Sequence, residues 1–467
     1  MSSLRSEWMR KGVHISMGGF ALFLRWLSPW QAAGCALLAL LFNLIVLHRL
    51  TGRRLLRQHE RNSGYSLGIA LYPAMVLLAI LVFRERLELA AAVWGLLAIG
   101  DGMATVAGKL SSGGTLPWNR QKSWAGWLAF VINGTAASAF LIRWTQQAAL
   151  DGSAAADHVG LSFLVAGGEQ REFLFLVIGC FVATLLTATV ESLQTGIDDN
   201  ILVPLFGGAA LYAATMVEPS RLLDSSTTLL NAALWGLAIN GLLALLAYAA
   251  KSVNRAGAVS GVLLGTALFA FGSWRMFLIF FLFFVVATVT TKIGYRKKMA
   301  LGVAQSRGGR RGVENAVANT LTGVLFAFLA VATSWTLPFT AAAVAAFATA
   351  ACDTVSSEIG QAFGRRHLLI TTLKRVPPGT DGAVSLEGTL AGLLASILLA
   401  VVAERLTLLT PLAASIVAAA GFAGATIESY LGATLERANQ LNNELVNFAN
   451  TLIGALLAMI AVAIWAV

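Results

Sequence analysis

Two sets of polar residues recur in the same order inside an otherwise apolar chain. The first is Gly100-Asp101, Ser123 with Gly126, Glu191-Ser192, then Asp198-Asp199-Asn200. The second is Asp353, Ser385 with Gly388, Glu428-Ser429, then Asn442-Asn443. A glycine follows each Asp at one offset, Asp101 to Gly108 and Asp353 to Gly360. Carboxylates at the ends of apolar segments are costly and mark function by default. Asp101, Asp198 and Asp199 offer oxygen ligands to a hard divalent cation, Mg²⁺ or Mn²⁺. Glu191 falls about two helical turns before the Asp pair. Lys122 stands at a helix start, where anions are attracted. Gly100, Lys109, Ser123 and Lys11 are the accompanying candidates for holding phosphate.

In the second set Asp353 and Glu358 are the expected metal ligands, and Glu428 joins them as a catalytic candidate. Gly379, Thr380, Gly382 and Ser385 form a loop that opens a helix and suits phosphate binding through backbone N–H groups. Arg310 and Arg311 belong to a basic loop that would attract an anionic substrate. Metal, cationic groups and a base for an incoming hydroxyl are what phosphoryl transfer requires. The chain lacks a Walker Gly-x-x-x-x-Gly-Lys-Ser/Thr sequence, which disfavours a P-loop kinase. Taken singly, Asp198-Asp199 reads as a solvated turn, Lys122 as a topology anchor and His14 as an interfacial residue. The recurrence strengthens all of these but His14. Asn319 and Ser260 read as helix–helix contacts.

These residues need elements to carry them. Hydrophobic residues make up 57% and charged residues 12% of the chain, and the mean hydropathy is +0.74. A soluble domain carries about twice that charged fraction. The expected fold is all-α, a polytopic transmembrane bundle of about 15 segments. Both halves place the Asp at the end of their fourth segment, Ser-x-x-Gly at the start of the fifth and Glu-Ser at the end of the sixth. The seventh follows the Asp or Asn pair. The pattern predicts two parallel seven-helix repeats, over residues 1–220 and 253–467, joined by a spacer helix within 221–252. The basic loops (Arg49 to Arg61, Lys292 to Arg311), Lys109–Lys122, Lys251–Arg255 and Arg365–Arg375 then share one side, the cytoplasm by the positive-inside rule. Both polar sets face that side. The net charge of +10 follows from these loops, and no nucleic-acid partner is implied. The three cysteines and five histidines are scattered, without the spacing of a zinc site.

The first half resembles the dolichol kinase and phytol kinase family, relatives of CTP-using phosphatidate cytidylyltransferases. The matching pieces are Arg10-Lys11-x-x-His14, Gly100-Asp101-x-x-Ala104 through Gly108-Lys109, Lys122-Ser123-x-x-Gly126, and Glu191-Ser192 through Asp198-Asp199-Asn200-x-x-x-Pro204. Trp124 and Trp127 stand where that family more often has smaller residues. The second half, from Asn254-x-x-Gly257-x-x-Ser260 to Asn442-Asn443, resembles the integral-membrane family that includes plant phytyl-phosphate kinase. Together the resemblances imply a fused, bifunctional salvage kinase. It would convert an isoprenoid alcohol to its monophosphate and then its diphosphate, with CTP as donor and Mg²⁺ as cofactor. Its partners would be the isoprenoid lipid, a nucleoside triphosphate and the surrounding lipids. Its place would be the inner membrane of a prokaryote. Two other readings use the same residues: transfer of a cytidylyl group to a lipid phosphate, and a transporter with two repeats.

Overall fold

The computed structural model describes residues 11–47, 67–111, 113–152, 169–193, 196–250, 253–303, 313–438 and 441–466. The expectations placed on Arg10, on Arg49 to Arg61, and on Arg307, Arg310 and Arg311 lie outside the described residues. The chain divides after Met216 into two units. It is a polytopic all-α membrane protein: ten described helices are long and apolar enough to cross a bilayer, and two shorter apolar ones run over Gly68–Val82 and Ala316–Ala332.

The first unit opens with a helical segment 11–17 that tightens into a 3₁₀ helix, Gly18–Arg25. Helix α1 (Pro29–Leu41) starts on a capping box, in which Ser28 and Gln31 satisfy each other's backbone N–H groups. It continues as a π-helix, Phe42–Leu47. Next come α2 (Leu67–Val82) and α3 (Leu87–Gly95). A π-helical stretch, Leu96–Gly100, leads without a break into α4 (Asp101–Leu110). Helices α5 (Trp124–Asp151), α6 (Glu169–Glu191) and α7 (Asp199–Met216) complete the unit. Helix α3 sits at the centre, packed by α2, α5, α7 and the 3₁₀ helix. Seven of its residues from Leu87 to Val93 are buried. Its alanines bring neighbouring backbones close, which is how helices associate without a hydrophobic drive between them.

The second unit holds α8 (Pro219–Asp224), α9 (Ser226–Ala249) and α10 (Arg255–Lys292). Helix α10 is interrupted at Ser273, whose φ of 64° breaks its path between residues 271 and 274, where the sequence predicts two separate segments. Helix α9 packs along α10. A Cβ at Gly236 would lie 2.8 Å from Phe269, and one at Gly265 would lie 2.1 Å from Asn240. Helices α11 (Tyr295–Ala300), α12 (Val313–Ala332) and α13 (Thr336–Phe363) follow. Helix α13 is the core, alanine-rich and buried over most of its length. A two-stranded hairpin, β1 (Leu368–Leu369) and β2 (Ala383–Val384), joins it to α14 (Leu386–Arg405). Helices α15 (Pro411–Leu431), with a π-helical end Gly432–Glu436, and α16 (Asn443–Trp465) close the chain. In the first unit Asp101 begins the helix that continues the buried run from α3, and in the second Asp353 lies ten residues before the end of α13.

Candidate active site

One contact recurs in both units. A Cβ at Gly126 would lie 2.9 Å from the Ala104 carbonyl oxygen and 3.5 Å from the Gly108 Cα. A Cβ at Gly388 would lie 2.4 Å from the Ser356 carbonyl oxygen and 3.0 Å from the Gly360 Cα. Asp-x₆-Gly and Ser-x-x-Gly are therefore the two sides of a close helix crossing, α4 on α5 and α13 on α14. Ser123 caps α5 by accepting the Gly126 N–H at 3.1 Å, and Ser385 caps α14 by accepting from Gly388 at 3.2 Å. Both serines, expected at phosphate, are engaged as N-caps. Gly100 faces the Phe130 ring, where a Cβ would lie 3.2 Å away. Lys109 is exposed at the end of α4.

The crossing holds Asp101 at the turn where the π-helix gives way to α4. Lys11 reaches its Oδ2 at 2.9 Å and His14 Nε2 at 3.3 Å. His14 Nε2 also lies 2.8 Å from the Leu97 carbonyl. A carbonyl only accepts, which assigns the proton to Nε2. Tyr72 sits edge-on to the His14 ring, and Trp94 Nε1 donates to its hydroxyl at 2.9 Å. The sequence gives no weight to Tyr72 or Trp94 and underrates His14. The signal available was the three-residue step from Lys11, which places both on one helical face.

Lys122 closes the other side. Its Nζ pairs with Glu191 and lies 3.3 Å from Asp199 Oδ2. Burial disfavours the ammonium, but the adjoining Glu191 and Asp199 outweigh it and hold the Lys122 pKa above its ordinary value. Burial pushes the Asp199 carboxyl up, partly offset by Lys122. The loop carrying Lys122 is pinned to the end of α6: Trp118 Nε1 donates to Ser192 Oγ and Asn119 to the Ser192 carbonyl, both at 2.9 Å. Ligand oxygens of Asp101, Glu191 and Asp199 all lie within 4.8 Å of one another. This carboxylate trio fits a hard divalent cation. Asp198, expected as a ligand, accepts the Asn200 N–H at 2.9 Å as the cap of α7. A cavity of about 1820 Å³ begins at Lys11, His14, Asp101 and Asp199 and runs between the 3₁₀ helix, α1 and α2 with mostly apolar walls.

In the second unit Asp353, Glu436 and Asp381 all lie within electrostatic reach of Glu428. Asp381 and Glu436 are absent from the sequence-based set. Asp381 is carried in by the hairpin loop, whose Gly379 and Gly382 take φ of 79° and 73°. That backbone region favours glycine. A Cβ at Gly382 would lie 2.5 Å from the Ser429 carbonyl oxygen, so the loop docks backbone to backbone on the Glu428 segment. Thr380 donates its hydroxyl to the Pro377 carbonyl at 2.8 Å. The expectation that Glu358 shares a pocket with Asp353 needs correction. Five residues along α13 put the two about 140° apart. Glu358 pairs instead with Lys298, both buried, and Lys298 also donates to the Thr291 carbonyl at 2.8 Å. Asn442 caps α16 through the Leu445 N–H at 2.9 Å, as Asp198 caps α7.

Comparison with known proteins adds the family. The integral membrane protein DUF92 model matches residues 238–455. An uncharacterised membrane protein of Synechocystis sp. is 42% identical over 200 residues, covering 42% of this chain and 77% of the relative. Protein VTE6, chloroplastic, of Arabidopsis thaliana is 40% identical over 216 residues, 44% of this chain and 65% of the relative. A probable phytol kinase 2, chloroplastic, of Glycine max is 27% identical over 163 residues, 34% of this chain and 47% of the relative. No solved structure matches. With its second unit spanned by that model and a relative covered over most of its length, the chain belongs to the integral membrane protein DUF92 family.

Proposed function

We propose that this protein is a lipid kinase that phosphorylates an isoprenoid alcohol in its first unit and the resulting monophosphate in its second. CTP is the proposed donor and Mg²⁺ the metal, with both sites facing the cytoplasm. The observation that carries this reading is the cavity, which joins Lys11, Asp101 and Asp199 to a long, mostly apolar groove. Such a shape suits a molecule with one reactive hydroxyl and a hydrocarbon tail. The relative of Glycine max named as a probable phytol kinase, and the motif resemblances of both halves, point the same way.

Asp101, Glu191 and Asp199 would hold the metal, which when bound supplies charge neutralisation at the phosphates. Lys11 and Lys122 would neutralise phosphate oxygens, and His14, anchored by its Nε2–H on the Leu97 carbonyl, stands beside Asp101. In the transfer the alcohol oxygen bonds to the γ-phosphorus, the bond from that phosphorus to the β–γ bridging oxygen breaks, and the nucleoside diphosphate leaves. The hydroxyl proton passes to a carboxylate of the trio. In the second unit Asp353 and Glu428 occupy the corresponding place for the monophosphate.

The test uses full-length protein in nanodiscs with Mg²⁺, a prenyl alcohol and CTP labelled at the α- or γ-phosphate. Label from the γ-phosphate should reach the lipid. Asp101→Asn should abolish monophosphate formation, and Asp353→Asn should let monophosphate accumulate. Transfer of α-label would replace the kinase reading with cytidylyl transfer. Diphosphate formation surviving in Asp353→Asn would remove the division of labour.

A further inference from the structure

The groove has a measurable length and runs from the carboxylates to the packed core of the unit. Its polar end lies beside Gly68, where a Cβ would sit 3.6 Å from Asn200 Nδ2. From there α2 lines the cavity as far as Ile80. Twelve residues of helix at 1.5 Å each make about 18 Å. On α1 the lining runs from Leu47 back to Ala32, about 22 Å by the same rise. At the far end stand Leu24, Ala32 and Ile80, exposed by only 1%, 2% and 1%. Other wall residues, including Phe20, Phe23 and Leu38, are exposed, so the groove is open along its side, whereas Leu24, Ala32 and Ile80 belong to the packed core of the unit.

An isoprene unit adds four carbon–carbon bonds of about 1.5 Å, which in zig-zag advance about 5 Å. The groove therefore takes about four units. We propose that Leu24, Ala32 and Ile80 form the chain-length stop of this site, setting its preference to isoprenoid alcohols of about twenty carbons. The inference rests on the reading of the first unit as an alcohol kinase. Two features fix the occupant as a tail with its head at the carboxylates. The Lys11 ammonium at the polar end complements a phosphate, and the rest of the wall is mostly apolar.

Cys35 supplies a gauge that does not depend on catalysis. It lines the cavity three residues from Ala32, about one helical turn short of the stop. It is exposed, whereas Cys180 and Cys352 are buried, and the chain has three cysteines. A tail reaches Cys35 only if it nearly fills the groove.

The experiment measures alkylation of Cys35 by a membrane-permeant maleimide in the full chain, in nanodiscs, with geraniol or geranylgeraniol present. Geranylgeraniol should slow the reaction about fivefold or more, and geraniol should leave it near the rate without alcohol. Equal protection by both, or by neither, overturns the stop. Chain preference is the second readout. Ile80→Ala should raise the kcat/KM ratio of longer prenols over geranylgeraniol about tenfold, and Ala32→Phe should shift preference toward farnesol. Unchanged ratios in both variants also overturn it. If no alcohol is phosphorylated with any nucleotide while Cys35 protection follows chain length, the kinase reading fails and the groove stands. If phosphorylation occurs with protection independent of length, the reverse holds.

Discussion

Lys122 serves two carboxylates with one ammonium, and that sets its importance. Removing it leaves Glu191 buried without its ammonium and Asp199 with only the more distant Lys11, and on the proposed mechanism takes away a cation for the phosphates. Lys122→Met should lower alcohol phosphorylation by about 100-fold or more, the scale of losing one preorganised electrostatic partner. A loss below about tenfold in initial-rate assays would show that Lys122 only anchors its loop. Ser123 and Ser385 carry the opposite expectation. As N-caps, each should lose about 1 kcal/mol of stability on change to Ala, seen as a lower melting temperature, with KM for nucleotide unchanged. A raised KM at normal stability would return them to phosphate binding. The residue types at these positions were legible from spacing alone, but their jobs were not. A serine before a helix can cap or bind, and only the 3.1 Å bond from Gly126 to Ser123 distinguishes the two. Glu358 misled for a geometric reason: it is near Asp353 in sequence but on another face of α13, opposite a lysine sixty residues away.

At the scale of elements, the glycines of the repeated set make a crossing before they make a site. Two helices approach so closely at Gly108–Gly126 and at Gly360–Gly388 that a side chain meets backbone. Backbone cannot yield as a flexible side chain can. Gly388→Leu should therefore cost at least about 1–3 kcal/mol, the usual range for overpacking. Loss of monodispersity in size-exclusion chromatography at a temperature the parent tolerates would show it, and an unchanged melting temperature would refute the crossing. The order of helices and the break within α10 were readable in the hydropathy. The π-helical stretch Leu96–Gly100 was not, because Leu-Leu-Ala-Ile-Gly is an ordinary apolar run. Such stretches often mark functional sites, and here one sets the register of Asp101. The hairpin loop was legible as a turn, but its cargo, Asp381, could not be tied to Glu428 and Glu436 without knowing where the loop docks.

Across the whole molecule, the boundary after Met216 assigns α9 to the second unit. The Synechocystis relative, 77% of which is covered by 42% of this chain, shows that a protein close to the size of one unit exists elsewhere. Residues 217–467 expressed alone should therefore insert and purify as a folded species. Residues 253–467, which lack α9 and expose the Gly236 and Gly265 faces of the α9–α10 contact, should be less stable. Detergent extraction and thermal aggregation of the two fragments compare them directly, and equal behaviour would make α9 a mere linker.

Lys11 on Asp101 and Lys122 on Glu191 and Asp199 leave the first site with its own counter-ions already in place. A divalent ion arriving alone must evict an ammonium that has nowhere better to go. If the proposed triphosphate arrives with it, the two lysines would turn to phosphate oxygens and release the carboxylates. Metal and nucleotide affinities are then linked, each raising the other by one shared factor. On the proposed reading, the protein without nucleotide should bind the ion more weakly than the nucleotide-loaded protein, a difference that titration of metal with and without nucleotide would measure.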